Sequence, residues 1–264
     1  MNVGVFFPGF SPSDGGGYTF EQEILNALIA LAPHSNHRFT LFFNSPCDSM
    51  EGLNIKSVFL SPNTPPKNDL FSQSLRKLGL VKTPGSVLLQ QAALKEQVEF
   101  FWFPTFGSQP VDIPYIATVL DLQHCLQPWF PEVSQNGLWD YREKYYSVFL
   151  RRAAYIITGA QAGKQEISFF FRISPERIRI LPHPAPVIER MPTDAEVAEV
   201  LKKFNINTPY LFYPAQFWAH KNHINLLLAL RILREQYHLP LSLVLVGSDK
   251  GNEAYVRRQV TELG

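Results

Sequence analysis

The chain has 264 residues, of which 45% are hydrophobic and 18% charged, and a formal net charge of +1. That composition is globular, with length for one large or two ordinary domains and no run long enough to span a bilayer. Near-neutral charge argues against general nucleic-acid binding, which shows as a basic domain or stripe. The two cysteines, Cys47 and Cys125, are too far apart for a metal motif or a disulfide scaffold.

The opening "MNVGVFFPGF" has no charged leader and no cleavage site and reads as a first strand, so a reducing cytoplasm is the expected location. "GGGYTFEQEILNALIALA" follows as a helix, with Phe20, Ile24, Leu28 and Leu31 on one stripe. "RFTLFF" and "IKSVFL" are short strands. A proline-rich loop covers 61–69, and helices are expected over 70–78 and 86–97. "EFFWFP" and "YIATVL" are buried strands, the second ending at Asp121. A long amphipathic helix is expected from about Gln135 to Arg152, then strand "AYIITGA", helix "AGKQEISFFF" and, in "ISPERIRILP", a helix cap or turn followed by a strand. Prolines then break the rhythm from His183 onward, with a short charged helix over 194–204. A second β–α–β unit follows: "YLFYP", a helix from about His220 to Tyr237 marked by Leu226, Leu230, Leu233 and Tyr237, and "LSLVLVG". Strands alternating with helices imply a mainly parallel sheet covered on both faces.

Three stretches carry chemistry. "PGFSPSDGGGYTF" sets Gly15, Gly16 and Gly17 between the first strand and helix, where bare backbone and a helix N-terminus suit an anion such as phosphate. The bland alternative is a flexible turn capped by Asp14, and the spacing is not the G-x-G-x-x-G fingerprint. "ATVLDLQHCLQPWFP" puts Asp121 and His124 just past a strand's carboxyl end, where open α/β sheets bind ligands. Histidine moves protons near neutral pH, and Asp121 can hold it or bond a sugar hydroxyl. Equally, Asp121 caps a turn and His124 is structural. In "AQFWAHKNH", Lys221 is a compact cation at a helix start, suited to a phosphate charge, with Asn222 and the helix amides as further donors. A solvated surface lysine is the competing reading. "HPAP", with His183, reads as a stiff hinge.

Taken together, the segments "GVFFPGFSPSDGGGYTFEQEILNAL", "VLDLQHCLQPWFPE", "AAYIITGAQAGKQEI" and "LFYPAQFWAHKNHINLLLAL" with "LSLVLVGSDKG" resemble, in order and spacing, the GT-B fold nucleotide-sugar glycosyltransferases of family four, or group one. The resemblance implies an α/β fold of two Rossmann-like parallel-sheet domains: an N-terminal acceptor-side domain over 1–182, a linker over 183–207, and a C-terminal donor-binding domain starting at 208. It implies a sugar moved from a nucleotide-sugar donor to a glycan, lipid-linked or small-molecule acceptor, with retention, without a metal or a cofactor other than the donor substrate, and without nucleic acid. Peripheral membrane association is compatible with it.

By the same resemblance, Gly16, Gly17, Gln216, His220, Lys221 and Asn222 hold the donor phosphates, and Asp121 and His124 are the catalytic candidates. Lys221 matches the family lysine. Ala215 and Gln216 stand where the family commonly has an arginine, so His220 is expected to replace part of that charge. The first-domain turn reads Leu120-Asp121 where "HD" is common, which leaves His124 as the replacement histidine. The family's paired-glutamate motif has no counterpart before Gly264. The second domain is therefore expected to be truncated, to expose an apolar sheet edge or face, and to be inactive alone. A rival reading is a non-catalytic glycan- or partner-binding module derived from such an enzyme. A third, nucleotide-sugar epimerase, shares the architecture but uses a different set of acids.

Overall fold

The computed structural model describes residues 1–44, 55–60, 84–105, 111–185, 190–207 and 209–264. The expected loop over 61–69, the helix over 70–78 and Cys47 lie outside them. The chain divides into two compact units, one of residues 1–126 and 139–186, the other of 127–138 and 187–264.

The first unit is built on β1 (Asn2–Phe7), β2 (Arg38–Phe43), β3 (Lys56–Phe59), β4 (Phe100–Phe103), β5 (Tyr115–Val119), β6 (Tyr155–Thr158) and β7 (Ile178–Ile180). They form one sheet in the order β3-β2-β1-β4-β5-β6-β7, with every pair parallel. This is doubly wound: the order reverses at β1, so β1 and β4 frame the switch point at the sheet's carboxyl edge. Apolar runs make these strands because parallel sheets are buried on both faces.

Its helices are α1 (Gly16–Leu31), α2 (Pro84–Lys95) and α3 (Gln123–Leu126), then, after the short α4 (Pro131–Ser134) that belongs to the second unit, α5 (Leu138–Arg152) and α6 (Gln161–Phe171). Side chains of period two sort the strand residues to two faces. On one face Val3, Val5, Phe7, Leu41 and Phe43 pack under Leu25 and Leu28 of α1. On the other, Phe6, Phe42, Phe101, Phe103, Tyr115 and Ile156 meet Leu89 of α2, Phe149 and Leu150 of α5 and Ile167 of α6. Rings dominate that second face: Phe101 stacks on Phe103 at 5.0 Å, and Tyr115 on Phe149 at 4.7 Å. The Tyr115 hydroxyl donates to the Phe149 carbonyl at 2.6 Å, which gives the buried phenol its partner.

Two helix expectations need correction. The buried side of α1 is Glu21, Leu25 and Leu28, not the full stripe Phe20, Ile24, Leu28 and Leu31; Leu31 is 56% exposed. Helix α5 starts at Leu138, not Gln135, because Asn136 and Gly137 both adopt left-handed backbone.

In the second unit β8 (Tyr210–Pro214) and β9 (Ser242–Val246) pair in parallel, with α7 (Asp194–Lys203), α8 (His223–Tyr237) and α9 (Glu253–Leu263). Phe217, Leu227 and Val256 form its core with Leu243 and Leu245. Along α8 the buried residues are His223, Leu227 and Leu230, so Tyr237 of the expected stripe is exposed. Tyr210, Phe212 and Val246 of the strands are also exposed. No helix among the described residues is long and apolar enough to cross a membrane.

Tyr115→Phe removes one buried hydrogen bond while the Phe149 carbonyl keeps the Ala153 N–H. It is expected to lower stability by about 1 kcal/mol, read as a shift in the urea midpoint at unchanged slope. An unchanged midpoint would mean that the bond contributes nothing net.

Candidate functional site

The loop after β1 is shaped by polar contacts. Asp14 accepts from the Ser11 N–H at 2.8 Å and the Ser11 hydroxyl at 2.9 Å, closing the turn before the helix. It does not cap α1, which begins with no side-chain cap and so keeps its first amides available. Gly15 has φ +64°, a turn conformation that requires glycine. Gly16 is different: a Cβ there would meet nothing within 4 Å, and at Gly17 only the Phe10 ring at 3.7 Å. Internal packing does not explain glycine at 16, whereas close approach of a ligand would.

Beneath this loop lies a residue that periodicity passed over. Glu21 is 3% exposed, and its Oε1 accepts from the Gly9 and Phe10 N–H groups at 3.1 and 3.3 Å. Its Oε2 is buried without a partner. Burial pushes the carboxyl up to about 7, against the pull of the two amides.

At the end of β5, Asp121 accepts from the Gln123 N–H at 3.0 Å and from Arg142 at 3.3 Å. It caps the short helix α3 while remaining exposed. His124 is not offered to a ligand in this structure: its ring is fully buried, against Tyr146 at 5.7 Å. Its Nε2 lies 3.1 Å from Glu143 Oε1, the same oxygen that accepts from the Cys125 thiol at 3.1 Å. Burial, then the nearby Arg142 charge, hold His124 below the ordinary imidazole range, and burial pushes the Cys125 thiol up to about 12. His124, Cys125 and Glu143 place three metal-type donor atoms within 4.8 Å of one another. A metal on Nε2 would force the proton onto Nδ1, which is buried without an acceptor. The trio fits a hydrogen-bonded group of neutral side chains around one carboxylate better than a metal centre.

In the second unit, the turns after β8 and β9 are bound together. Phe217 N–H donates to the Ser248 carbonyl at 3.0 Å, and Gln216 Nε2 to the Ser248 hydroxyl at 2.9 Å. Trp218 Nε1 donates to Gln216 Oε1 at 3.0 Å, and the Lys250 ammonium sits 5.8 Å from the Trp218 ring centre. A Cβ on Gly247 would lie 2.2 Å from the Ala215 carbonyl oxygen, so the two backbones touch there.

Helix α8 begins at His223 rather than His220. Residues Ala219–Lys221 form a 3₁₀ turn, and Asn222 takes left-handed backbone, so its side chain makes no cap. His223 is buried and stacked on Phe217 at 4.7 Å, and burial holds its pKa below the ordinary value. His220 is engaged: its N–H and Nδ1 both meet Glu132 Oε1, at 2.9 and 2.5 Å. Burial raises Glu132, but the His220 backbone and ring bonds outweigh it and hold the carboxyl below its usual range. His220 is thus committed to Glu132 through both its backbone and its ring. Lys221 is exposed, and no carboxylate among the described residues pairs with it. A cleft of about 370 Å³ lies alongside, bounded by Glu132, Asn136, Trp218 and Lys250.

The structure therefore brings together Gln216, His220, Lys221 and Asn222 in one unit. In the other it gathers Gly16 and Gly17 at the first loop and Asp121 and His124 at the end of β5.

This arrangement is the GT-B glycosyltransferase fold: α/β, with a doubly wound parallel sheet and loops at the strands' carboxyl ends. No family model matches the chain and no curated protein matches it significantly. Among solved structures it is similar to Alr3699/HepE of Anabaena, crystallised with UDP and glucose, at 15% identity and TM-score 0.64, over 100% of this chain and 67% of that one. It is also similar to a glycosyltransferase from Rickettsia africae ESF-5, at 15% identity and TM-score 0.58, over 99% and 64%. A third is WaaG, a glycosyltransferase involved in lipopolysaccharide biosynthesis, at 14% identity and TM-score 0.59, over 99% and 67%. The chain spans about two thirds of the length of these structures, and at such identities the likeness is one of fold.

Glu21 gives a pH test. Its folded pKa lies above its unfolded one, so ionising it costs stability: nothing below about pH 4.5, an increasing loss up to pH 7, and the full loss above. Glu21→Gln keeps a carbonyl acceptor without the charge. It is expected to stabilise the first unit by up to about 3 kcal/mol at pH 8 and by little at pH 4. Equal stabilities of variant and wild type at both pH values would contradict the assignment.

Proposed function

We propose that the chain is the nucleotide-sugar-handling part of a retaining, metal-independent glycosyltransferase, with no cofactor beyond the donor substrate. The observation that carries this is the turn 215–222 at the carboxyl end of β8. His220, committed to Glu132, and low-pKa His223 flank Lys221, an exposed cation beside the uncapped start of α8. Such a site suits the leaving diphosphate, whose negative charge grows as the glycosidic bond breaks. Asn222 adds a donor at the same place, and Gln216 holds the turn in shape. In the first unit, Gly16 and Gly17 carry the assignment to phosphate, supported by a glycine at 16 that packing does not demand. Asp121 remains the exposed acid at the end of β5, suited to a sugar hydroxyl and held by Arg142 and the Gln123 N–H, with His124 the candidate proton-transfer group beside it in the sequence. The similar Anabaena structure holds UDP and glucose, which supports a nucleoside diphosphate sugar as donor. A glycan, lipid-linked or small-molecule acceptor and a cytoplasmic location complete the proposal, with the domain limits 1–182, 183–207 and 208 onward. A second reading, a non-catalytic glycan- or partner-binding module, is favoured by one observation: the candidate catalytic histidine, His124, is sealed in the core.

Titration calorimetry with UDP, uridine and UDP-glucose separates the two. Wild type is expected to bind UDP well above uridine. Lys221→Ala should weaken UDP by about tenfold, the loss of one charge-assisted contact, while leaving uridine and the melting temperature unchanged. UDP affinity within twofold of wild type after Lys221→Ala would reduce this turn to an ordinary strand–helix connection, and no UDP binding at all would favour the module.

A further inference from the structure

The glycine loop of the first unit carries a conflict of charge. The uncapped start of α1 and the bare backbone at Gly16 suit a phosphate, yet the side chain that braces this loop is an acid. Glu21 is 3% exposed, its Oε1 is bonded to the Gly9 and Phe10 amides, and its Oε2 is buried with no partner. No cation among the described residues offsets it. The charged group that acts on it is Asp14, which opposes ionisation further.

An anion at Gly16 or Gly17 comes near this carboxyl by two routes. Along α1, Glu21 follows Gly16 by a helix rise of about 7.5 Å. Through the loop, the Phe10 N–H donates to Glu21 Oε1, while the Phe10 ring lies 3.7 Å from where a Cβ of Gly17 would stand. Phe10 therefore touches both the acid and the glycines. Two negative charges about 10 Å apart in a poorly hydrated region repel, and the one already disfavoured by burial is neutralised first. A phosphate, with a second pKa of about 6, stays ionised near neutral pH, whereas the Glu21 carboxyl is pushed up to about 7. Neutral Glu21 still has a carbonyl oxygen for the Gly9 and Phe10 amides, so the brace survives the change of charge.

We propose that Glu21 is a proton-uptake group: a phosphate-bearing ligand binds at Gly16 and Gly17 together with a proton on the buried carboxyl, a role that rests on the phosphate site proposed at those glycines. The proton comes from solvent and returns to it on release. By linkage, the ligand binds the neutral form more tightly. Affinity then falls as pH rises through the titration of Glu21, and levels off once the liganded form has ionised too.

The test is titration calorimetry with UDP on the full chain, in two buffers of different ionisation enthalpy, which counts the protons taken up. A repulsion over that distance moves the Glu21 midpoint up by about one pH unit, a coupling of about tenfold. At pH 7.5 wild type is therefore expected to take up about half a proton more than Glu21→Gln, which keeps a carbonyl without the charge. The two proteins should bind UDP alike at pH 6, and the variant about tenfold more tightly at pH 8.5. In wild type, the Glu21 carboxyl ¹³C titration, assigned by its absence from the variant, should move up by about one pH unit with saturating UDP. UDP bound by both proteins with equal proton uptake and equal pH dependence would overturn the coupling, and the phosphate reading of the Lys221 turn would stand without it. No UDP binding by either protein at pH 6 would overturn both.

Discussion

All six residues of β1, Asn2 to Phe7, are buried. A strand covered on both faces needs apolar side chains in both directions, and its backbone groups must go to neighbouring strands. β2 and β4 supply those bonds, one on each side. This central position brings the end of β1 to the point where strand order reverses, which is where a doubly wound sheet opens a crevice. The chain must then leave the sheet through Pro8, which has no N–H, and the Gly9 and Phe10 amides that follow are served by no strand. Glu21 meets that need by turning a carboxylate inward to Gly9 and Phe10. A glycine-rich loop is held from below by a buried acid because the strand before it is so thoroughly enclosed.

What could be read from the sequence follows the same logic. The strands are legible since short runs such as "NVGVFF" and "YIATVL" hold almost nothing polar, and alternation with helices leaves a parallel sheet as the natural outcome. The face of α1 is legible only in part. Periodicity weighs apolar residues, so it cannot register that Glu21 finds two amide donors and goes inside while Leu31 stays out. The start of α5 was marked in plain sight by Asn136-Gly137, a turn dipeptide. Histidines are the hardest case. Their type is visible but their partner is not: His124 depends on Glu143, 19 residues on, and His220 on Glu132, 88 residues back.

The turn after β8 can be compared with the family pattern that its sequence resembles. Where that pattern commonly has an arginine, Gln216 spends both ends of its amide on Ser248 and Trp218. The side chain there is a brace and not a charge. His220 is committed to Glu132, and burial favours the neutral form of His223. Within the turn itself the positive charge therefore rests on the exposed Lys221, with Lys250 of the neighbouring turn against Trp218, and the pull of such exposed cations on an anion weakens as salt is added.

The contact at Gly247 has a consequence for how this edge of the second unit responds to what binds it. The backbones after β8 and β9 touch so closely that even a methyl group would not fit between Gly247 and Ala215, and Phe217 continues the pairing through a bridge to Asp249. Two loops joined in this manner cannot fold over a ligand one at a time. They are fixed before the ligand arrives, so little ordering entropy is lost on binding, and selectivity falls to shape already present. Any motion that accompanies binding has to carry both loops as a single body.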